Sequence, residues 1–385
     1  MAKLDELIQE LCPNGVEYRP LEQCCTVLDK KRKPVTKSAR ETGKYPYYGA
    51  NGIQDYVSDY IFDGTFILVG EDGSVITGRG TPVVTWATGK IWVNNHAHII
   101  EERKGVLLRY LYHYIQTIDV SSLIHGNIPK LTGGDFKALS IPVPPMPVQR
   151  EIVRILDNFT ELTAELTAEL TARKKQYAYY RDKLLTVENQ FAQIPLSELA
   201  KFSYGYTSVA QESGKVRFIR ITDITDDGCL TDYGEKYVNL TEESRKYLLK
   251  KGDILLARTG ATYGKTVFIP DDTPAVYASF LIKIELDNTR ILNRYYWHFA
   301  KSQLYWSQAE RYVSKGGQQQ FNANAVGRVV VPVPPLSIQQ RIINVLDSFD
   351  TLCTDLSTGL PAEIEARQKQ YEYYRDKLLT FTPAD

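Results

Sequence analysis

The chain has 385 residues, enough for two domains with their own cores, and the same number of basic (46) as acidic (46) residues. A formal charge of zero excludes a protein that clamps many phosphates through its overall charge, so any nucleic-acid partner must be met by local patches or alongside a basic companion. Cys12, Cys24, Cys25, Cys229 and Cys353 have no disulfide-framework spacing, the N-terminus MAKLDELIQEL lacks an apolar signal core, and no run of about 18 apolar residues occurs, so a soluble cytoplasmic protein with reduced thiols and no membrane partner is expected.

Along the chain, two kinds of segment alternate. Strand-like runs bounded by Gly, Asp and Asn turn signals come first, at Phe66–Val69, Pro82–Trp86 and Lys90–Val93. From about Met146 to Thr186 the period changes. Ile152, Ile155, Leu156, Phe159, Leu162, Leu166 and Leu170 recur at threes and fours, and Tyr177, Tyr180 and Leu184 continue the stripe, which predicts roughly 60 Å of helix. Thr163–Ala172 reads TAELTAELTA; each such tetrad adds about 6 Å with a small rotational offset, as a ruler would. Strands follow at Asp253–Ala257 and Leu281–Leu286. A second helical stripe then runs through Ile342, Val345, Leu346, Phe349, Leu352, Leu356, Ile364, Tyr371, Tyr374 and Leu378, with a break expected at Gly359 and Pro361.

The two helical segments are copies. IPVPPMPVQREIVRILDNF from Ile141 matches VPVPPLSIQQRIINVLDSF from Val331, and KQYAYYRDKLL from Lys175 matches KQYEYYRDKLL from Lys369. The intervening regions echo each other faintly but in order: FILVGEDG from Phe66 with DILLARTG from Asp253, RYLYHYIQT from Arg109 with RYYWHFAKS from Arg294, SLIHGNIPKL from Ser122 with YVSKGGQQQF from Tyr312, and YRPLEQ with QIPLSEL. A shared framework carrying diverged surfaces is the pattern of two units with separate specificities. Long helices with one apolar stripe need a partner, and pairing as an antiparallel coiled coil is the simplest solution. The expected fold is therefore mixed α/β (α+β) and pseudo-two-fold. Globular regions at 1–145 and 187–335 alternate with helices at 146–186 and 336–381 that form a coiled-coil spacer.

The P-x-P-P-x-x-x-Q-x-x-I-x-x-x-L-D-x-F and K-Q-Y-x-Y-Y-R-D-K-L-L pairs, together with the TAEL tetrads, resemble the specificity subunits of type I restriction–modification enzymes over essentially the whole chain. The resemblance implies a non-catalytic subunit in which each globular region is a target-recognition domain for one half of a bipartite double-stranded DNA site. It also implies a helical spacer that sets the gap and docks two methyltransferase subunits, joined by two restriction subunits where the system cleaves. S-adenosylmethionine would then belong to the methyltransferase, and ATP and Mg to a cleavage subunit. The other reading of the residues is a coiled-coil scaffold for proteins, without DNA contact.

Base readout needs Arg, Lys, Asn, Gln or carboxylates on loops that reach a groove. In the first region the candidates are Lys31, Arg32 and Lys33 of a basic run, Tyr47 and Asn51 in YPYYGANGI, Arg79 between glycines, Asn94, Asn95 and His96, and Asn127 and Lys130 in HGNIPK. In the second they are Tyr204 and Tyr206, Arg217 and Arg220, Arg258, Thr259, Thr262, Tyr263 and Lys265 in ARTGATYGKT, and Lys315, Gln318, Gln319 and Gln320 in KGGQQQ. The last loop matches HGNIPK, so this pair of loops is expected to face DNA in both domains. His96 and His98 are expected to share a strand face, but no third ligand accompanies them and no metal site is predicted. GATYGKT has three residues between its glycines where a P-loop has four, and the following VFIP reads as strand, so nucleotide hydrolysis is not expected. No zinc pairing or nucleophile elbow is present.

Overall fold

The computed structural model describes residues 2–384 apart from Ser74, 187–190, Asp232, Lys315, Gly317, Gln318 and Leu356. The chain mixes helices and strands and forms two compact units, Met1–Glu165 with Ile364–Asp385, and Leu166–Glu363. The division runs through the helical segments. Helix Met146–Leu185 is unbroken for 40 residues, and roughly half of it belongs to each unit. The second segment is two helices, Leu336–Thr354 and Leu360–Leu378. Gly359 lies at the break, where an added Cβ would stand 2.6 Å from the Asp355 carbonyl oxygen and 2.8 Å from that of Thr351. Pro361 falls in the first turn that follows, where a missing N–H is harmless. None of the described helices is long and apolar enough to cross a membrane.

The first unit is built on a six-stranded sheet in the order Cys25–Val27, Ala97–Glu102, Phe62–Gly70, Val84–Val93, Thr42–Gly49, Gly52–Val57. Neighbours are antiparallel except Thr42–Gly49 against Val84–Val93. Ile67 and Val69 enter one apolar cluster and Phe66 and Leu68 another, which is why this stretch is apolar without alternation. Pro82–Trp86 and Lys90–Val93 are not two strands, because Thr88 and Gly89 stay in register opposite Thr65 and Gly64 and carry one strand through.

The second unit repeats the first four strands of that order with Ala200–Tyr204, Leu281–Leu286, Ile254–Ala257 and Thr266–Phe268, all antiparallel. Here too a central strand is buried on both faces, Ile254 and Leu256 in one cluster and Leu255 and Ala257 in another. Where the first unit adds two strands to its sheet edge, the second carries a separate three-stranded sheet of Tyr237–Val238, Val216–Ile219 and Ala275–Tyr277. The four-stranded core is thus duplicated, and the two sheets diverge at the edge beyond it.

The repeated motifs form one buried frame in each unit. Gln149, fully buried at the start of the long helix, donates from Nε2 to the Pro144 carbonyl (2.8 Å) and the Gly105 carbonyl (3.1 Å) and accepts from the Leu107 amide (2.9 Å). Gln339 does the same with Pro334 (2.8 Å), Arg290 (2.8 Å) and Leu292 (2.8 Å). Each glutamine thereby fixes the proline-rich strand exit and the next helix in one geometry. Tyr110 and Tyr295 donate their hydroxyls to the carbonyls of Pro142 (3.0 Å) and Pro332 (2.9 Å).

Further along, Asp157 accepts from Arg109 Nε (2.7 Å) and His113 Nε2 (2.8 Å), while the Tyr371 hydroxyl lies 2.9 Å from His113 Nδ1. In the second unit Asp347 accepts from Arg294 Nε (2.7 Å) and His298 Nε2 (2.7 Å), and the Tyr177 hydroxyl lies 3.0 Å from His298 Nδ1. The tyrosine comes from the other copy of the repeat in both cases. The helix pairing is exchanged in the same sense, since Phe159 stacks on Tyr374 (5.3 Å, 15°) in one unit and Phe349 on Tyr180 (5.7 Å, 22°) in the other.

Each histidine is completely buried, with a carboxylate acceptor at Nε2 and a hydroxyl donor at Nδ1, so the neutral Nε2–H ring satisfies every partner. Burial pushes both imidazoles below their ordinary range, outweighing the pull of Asp157 and Asp347 in the other direction. For these two aspartates burial acts upward, but the bonds from histidine and arginine prevail and hold the carboxyls low.

Two predictions follow from this frame. Tyr177→Phe and Tyr371→Phe each leave a buried imidazole nitrogen without its donor. Each should destabilise its own unit by about 1–3 kcal/mol in denaturant unfolding, and a neutral result would show that the exchanged tyrosines are mere packing. The unfolded chain binds protons at His113 and His298 that the folded chain refuses, so stability is complete above about pH 6.5 and falls as pH drops through the depressed folded values. Thermal unfolding between pH 7.5 and 5 checks this, and His113→Asn with His298→Asn should flatten the slope.

Candidate nucleic-acid interface

The two loop pairs matched in sequence occupy the same place in their units. In the first, the turn after strand Phe62–Gly70 is tied to the hairpin Ile124–His125/Lys130–Leu131: Gly73 N–H donates to the Pro129 carbonyl (3.0 Å) and Leu131 N–H to that of Glu71 (2.9 Å), with Asp72 bridged to Lys130. In the second, Gly260 N–H donates to Gln319 (3.1 Å) and Phe321 N–H to Arg258 (2.8 Å), with Thr259 bridged to Gln320. Gly73 and Gly260 have φ of 81° and 67° with no neighbour within 4 Å of a built Cβ, so backbone handedness rather than space requires glycine.

Around the first loop pair polar side chains share the surface with apolar ones. Asn51, Gln54, Asp72 and His96 line a cleft of about 370 Å³ with Gly73, Ala50 and the exposed Ile128. His96 Nδ1 bonds Asp72, and Asn95 and Asn127 are exposed nearby in sequence on the turn and hairpin. His96 and His98 do not share a face. His96 sits in the exposed turn before strand Ala97–Glu102, whereas His98 is buried, stacked on Phe136 at 4.2 Å, with Nδ1 2.7 Å from Asp29 and Nε2 3.0 Å from the Leu131 carbonyl.

Several candidates prove to be internal. Asn94 is buried, its amide oxygen accepting from the His96 N–H (2.8 Å) and its nitrogen donating to Gln54 (3.3 Å), so it shapes the turn. Tyr47 is buried, its hydroxyl bonded to the Val35 backbone and its ring covered by Arg40 at 4.2 Å. Arg32 is 12 % exposed and bonds Glu71 (2.5 Å) and the Ala97 carbonyl (2.7 Å). With Lys130, 3.3 Å from Glu71, it engages the carboxylates of an Asp29–Glu71–His98 group whose ligand atoms lie within 4.8 Å of one another. That cluster is an ion network beneath the loop, its carboxylates engaged by Arg32 and Lys130. Lys31 and Lys33 on either side are exposed. Arg79 is exposed but paired with Glu372 at 2.7 Å.

In the second unit Arg217 pairs with Glu235 (2.8 Å), and Arg220 with Asp223 (2.6 Å) inside a capping box. Thr259 is buried, Tyr263 packs against Trp306 and Phe321, Lys265 pairs with Asp226, and Thr262 and Tyr206 are half-buried. Lys315 and Gln318 lie outside the described residues, while Gln319 and Gln320 are exposed. Arg258 lies between two exposed rings, 5.1 Å from the Tyr204 centroid and 5.6 Å from that of Phe280. Sequence reading missed Phe280, Gln54, Asp72 and Ile128. An apolar residue before a strand reads as core, and Phe280 is shown to be surface only by its 50 % exposure.

A frame built twice, bearing unlike loops, narrows the possibilities, and comparison with known proteins settles the family. The family model described as type I restriction modification DNA specificity domain matches residues 13–173 and again 189–366. The chain belongs to the type I restriction–modification specificity subunits. A Haemophilus influenzae protein named as a type I restriction enzyme specificity subunit is 37 % identical over 95 % of this chain and 96 % of its own length. The EcoR124I/EcoR124II specificity subunit of Escherichia coli is 36 % identical over 71 % of each chain. The crystal structure of the S subunit from M. genitalium shares the fold at a TM-score of 0.58 and 17 % identity, covering 95 % of this chain and 96 % of that one. As a specificity subunit the chain recognises DNA sequence through two target-recognition domains and is not itself an enzyme, catalysis lying in partner subunits.

Arg32→Ala removes the cation that holds Glu71 and Asp29 under the first loop pair. Expected is a loss of roughly 2–3 kcal/mol in unfolding of the first unit. A variant with unchanged stability but altered DNA selectivity would instead return Arg32 to the interface.

Proposed function

We propose that the two units of this specificity subunit each read one half of a bipartite double-stranded DNA site through the paired loops at 71–73 with 124–131 and at 258–260 with 313–321. The observation that supports this reading is the contrast between a repeated buried frame and unlike polar groups on the matched loops: Asp72, Asn127 and Lys130 in one unit, Arg258, Gln319 and Gln320 in the other. Holding two readers on one chain raises the effective concentration of the second half-site and makes the gap part of the specificity.

In this reading the long helices set the gap and dock two methyltransferase subunits. Methyl transfer uses S-adenosylmethionine in that partner, and ATP with Mg²⁺ serves a restriction subunit where one joins, all in the cytoplasm. Neutral net charge suits a reader that works beside partners contributing to the phosphate clamp.

Methylation-site mapping in a host carrying this chain and its methyltransferase, against a deletion of this chain, tests the proposal. The expected result is a two-part asymmetric motif that vanishes on deletion; an unchanged methylome with both proteins expressed refutes it. Deleting Thr163–Leu166 shortens the helix by about 6 Å and should shorten the preferred gap while leaving both half-site sequences intact. Altered half-sites with an unchanged gap would refute the ruler.

A further inference from the structure

Arg258 is held in an unusual way. Its backbone N–H donates to the Phe280 carbonyl (3.1 Å) and its own carbonyl accepts from Phe321, so its place is fixed without help from the side chain. The side chain leaves the end of strand Ile254–Ala257, donates from Nε to the Ser279 carbonyl (3.1 Å), and lies between the rings of Tyr204 and Phe280. Those rings are 44 % and 50 % exposed, too open to be core. Tyr204 is itself positioned, its hydroxyl accepting from the Ala323 N–H at 3.1 Å. Among the described residues no carboxylate pairs with Arg258, and its terminal nitrogens hold no hydrogen bond and are not sealed from solvent.

Other cationic side chains of the two units behave otherwise. Arg32, Arg79, Arg217, Arg220 and Lys265 are all held by acidic partners. The equivalent position in the first unit is Glu71, drawn inward by Arg32 and Lys130. A guanidinium whose plane is set by two rings and one backbone bond presents two parallel donors at little cost in side-chain freedom. Two parallel donors on a rigid fork match the O6 and N7 acceptors of guanine in the major groove. Contact with a phosphate needs no such buttress, and exposed lysines serve it as well.

We propose that Arg258 reads guanine in the half-site recognised by the second unit, with Tyr204 and Phe280 as its positioning residues. The inference rests on the DNA-reading function proposed above and assigns one position within it.

The test is methylation-site mapping of the full chain with its methyltransferase, comparing wild type, Arg258→Gln, Arg258→Lys and Tyr204→Ala. Glutamine matches the N6 and N7 groups of adenine, so Arg258→Gln should turn one guanine of one half-site towards adenine and leave the other half-site and the gap unchanged. Arg258→Lys keeps the charge but loses the fork and should relax preference at that same base by roughly 5- to 150-fold. Tyr204→Ala should relax the same position more weakly. The unaltered half-site reports that the variants still fold and assemble.

A wild-type motif whose half-sites both lack G·C pairs overturns the assignment. So does an Arg258→Gln variant that still selects guanine, or one that is weakened equally on all sequences, as loss of a phosphate contact would give. If Arg258→Gln abolishes recognition altogether, Arg258→Lys decides: relaxation confined to one guanine supports base reading, and an unchanged motif overturns it. A wild-type chain with no sequence preference would refute the DNA-reading function itself, an outcome distinct from all of these.

Discussion

Everything in each unit hangs on a neutral imidazole wedged between a carboxylate of one repeat copy and a tyrosine of the other. His113 and His298 are buried, and each ring nitrogen has one acceptable partner. Complete burial of the rings penalises any arrangement that leaves one of their nitrogens unpaired, so each histidine favours having its partners from both copies in place. The first unit therefore needs Tyr371 from near the end of the chain, and the second needs Tyr177 from its middle. The first unit cannot complete its core from a continuous stretch of sequence, whereas the second, Leu166–Glu363, takes in Tyr177 near its start.

That constraint explains which residues the two copies share. Gln149 and Gln339 lock the proline exit, Asp157 and Asp347 take arginine and histidine, and Phe159 and Phe349 stack on the exchanged tyrosines Tyr374 and Tyr180. Each motif residue has a bond or a ring to satisfy, and loosening one would release the others. The recognition loops lie outside this network. They are tied down through backbone groups at Gly73 and Gly260, so side chains there can change sign, Glu71 for Arg258, without disturbing what holds them.

The same separation accounts for the balanced charge. Much of the arginine that looks available in sequence is engaged internally: Arg32 beneath a loop, Arg217 and Arg220 in turns, Arg109 and Arg294 in the buried frame. Among the described residues of the two loop pairs, what remains for a ligand is a few amides, a lysine and the buttressed guanidinium of Arg258. This composition is suited to selecting bases rather than to attracting a polyanion from a distance.

The sequence alone made legible the duplication, the long helix from Met146, the break at Gly359 and the matching of the two amide loops. Periodicity and repetition are local properties that survive without knowledge of partners. It also carried the family resemblance, because the motif residues are pinned by the frame they build. The folded chain alone shows that Tyr371 completes the first unit and Tyr177 the second, since nothing in a helix stripe says which histidine a tyrosine will meet. It also sorted the candidates. Asn94, Tyr47 and Arg32 turn inward, while Phe280 turns outward beside Arg258. Whether a polar or aromatic side chain faces solvent depends on carboxylates and rings brought from tens or hundreds of residues away, and on desolvation costs that no short stretch of sequence contains.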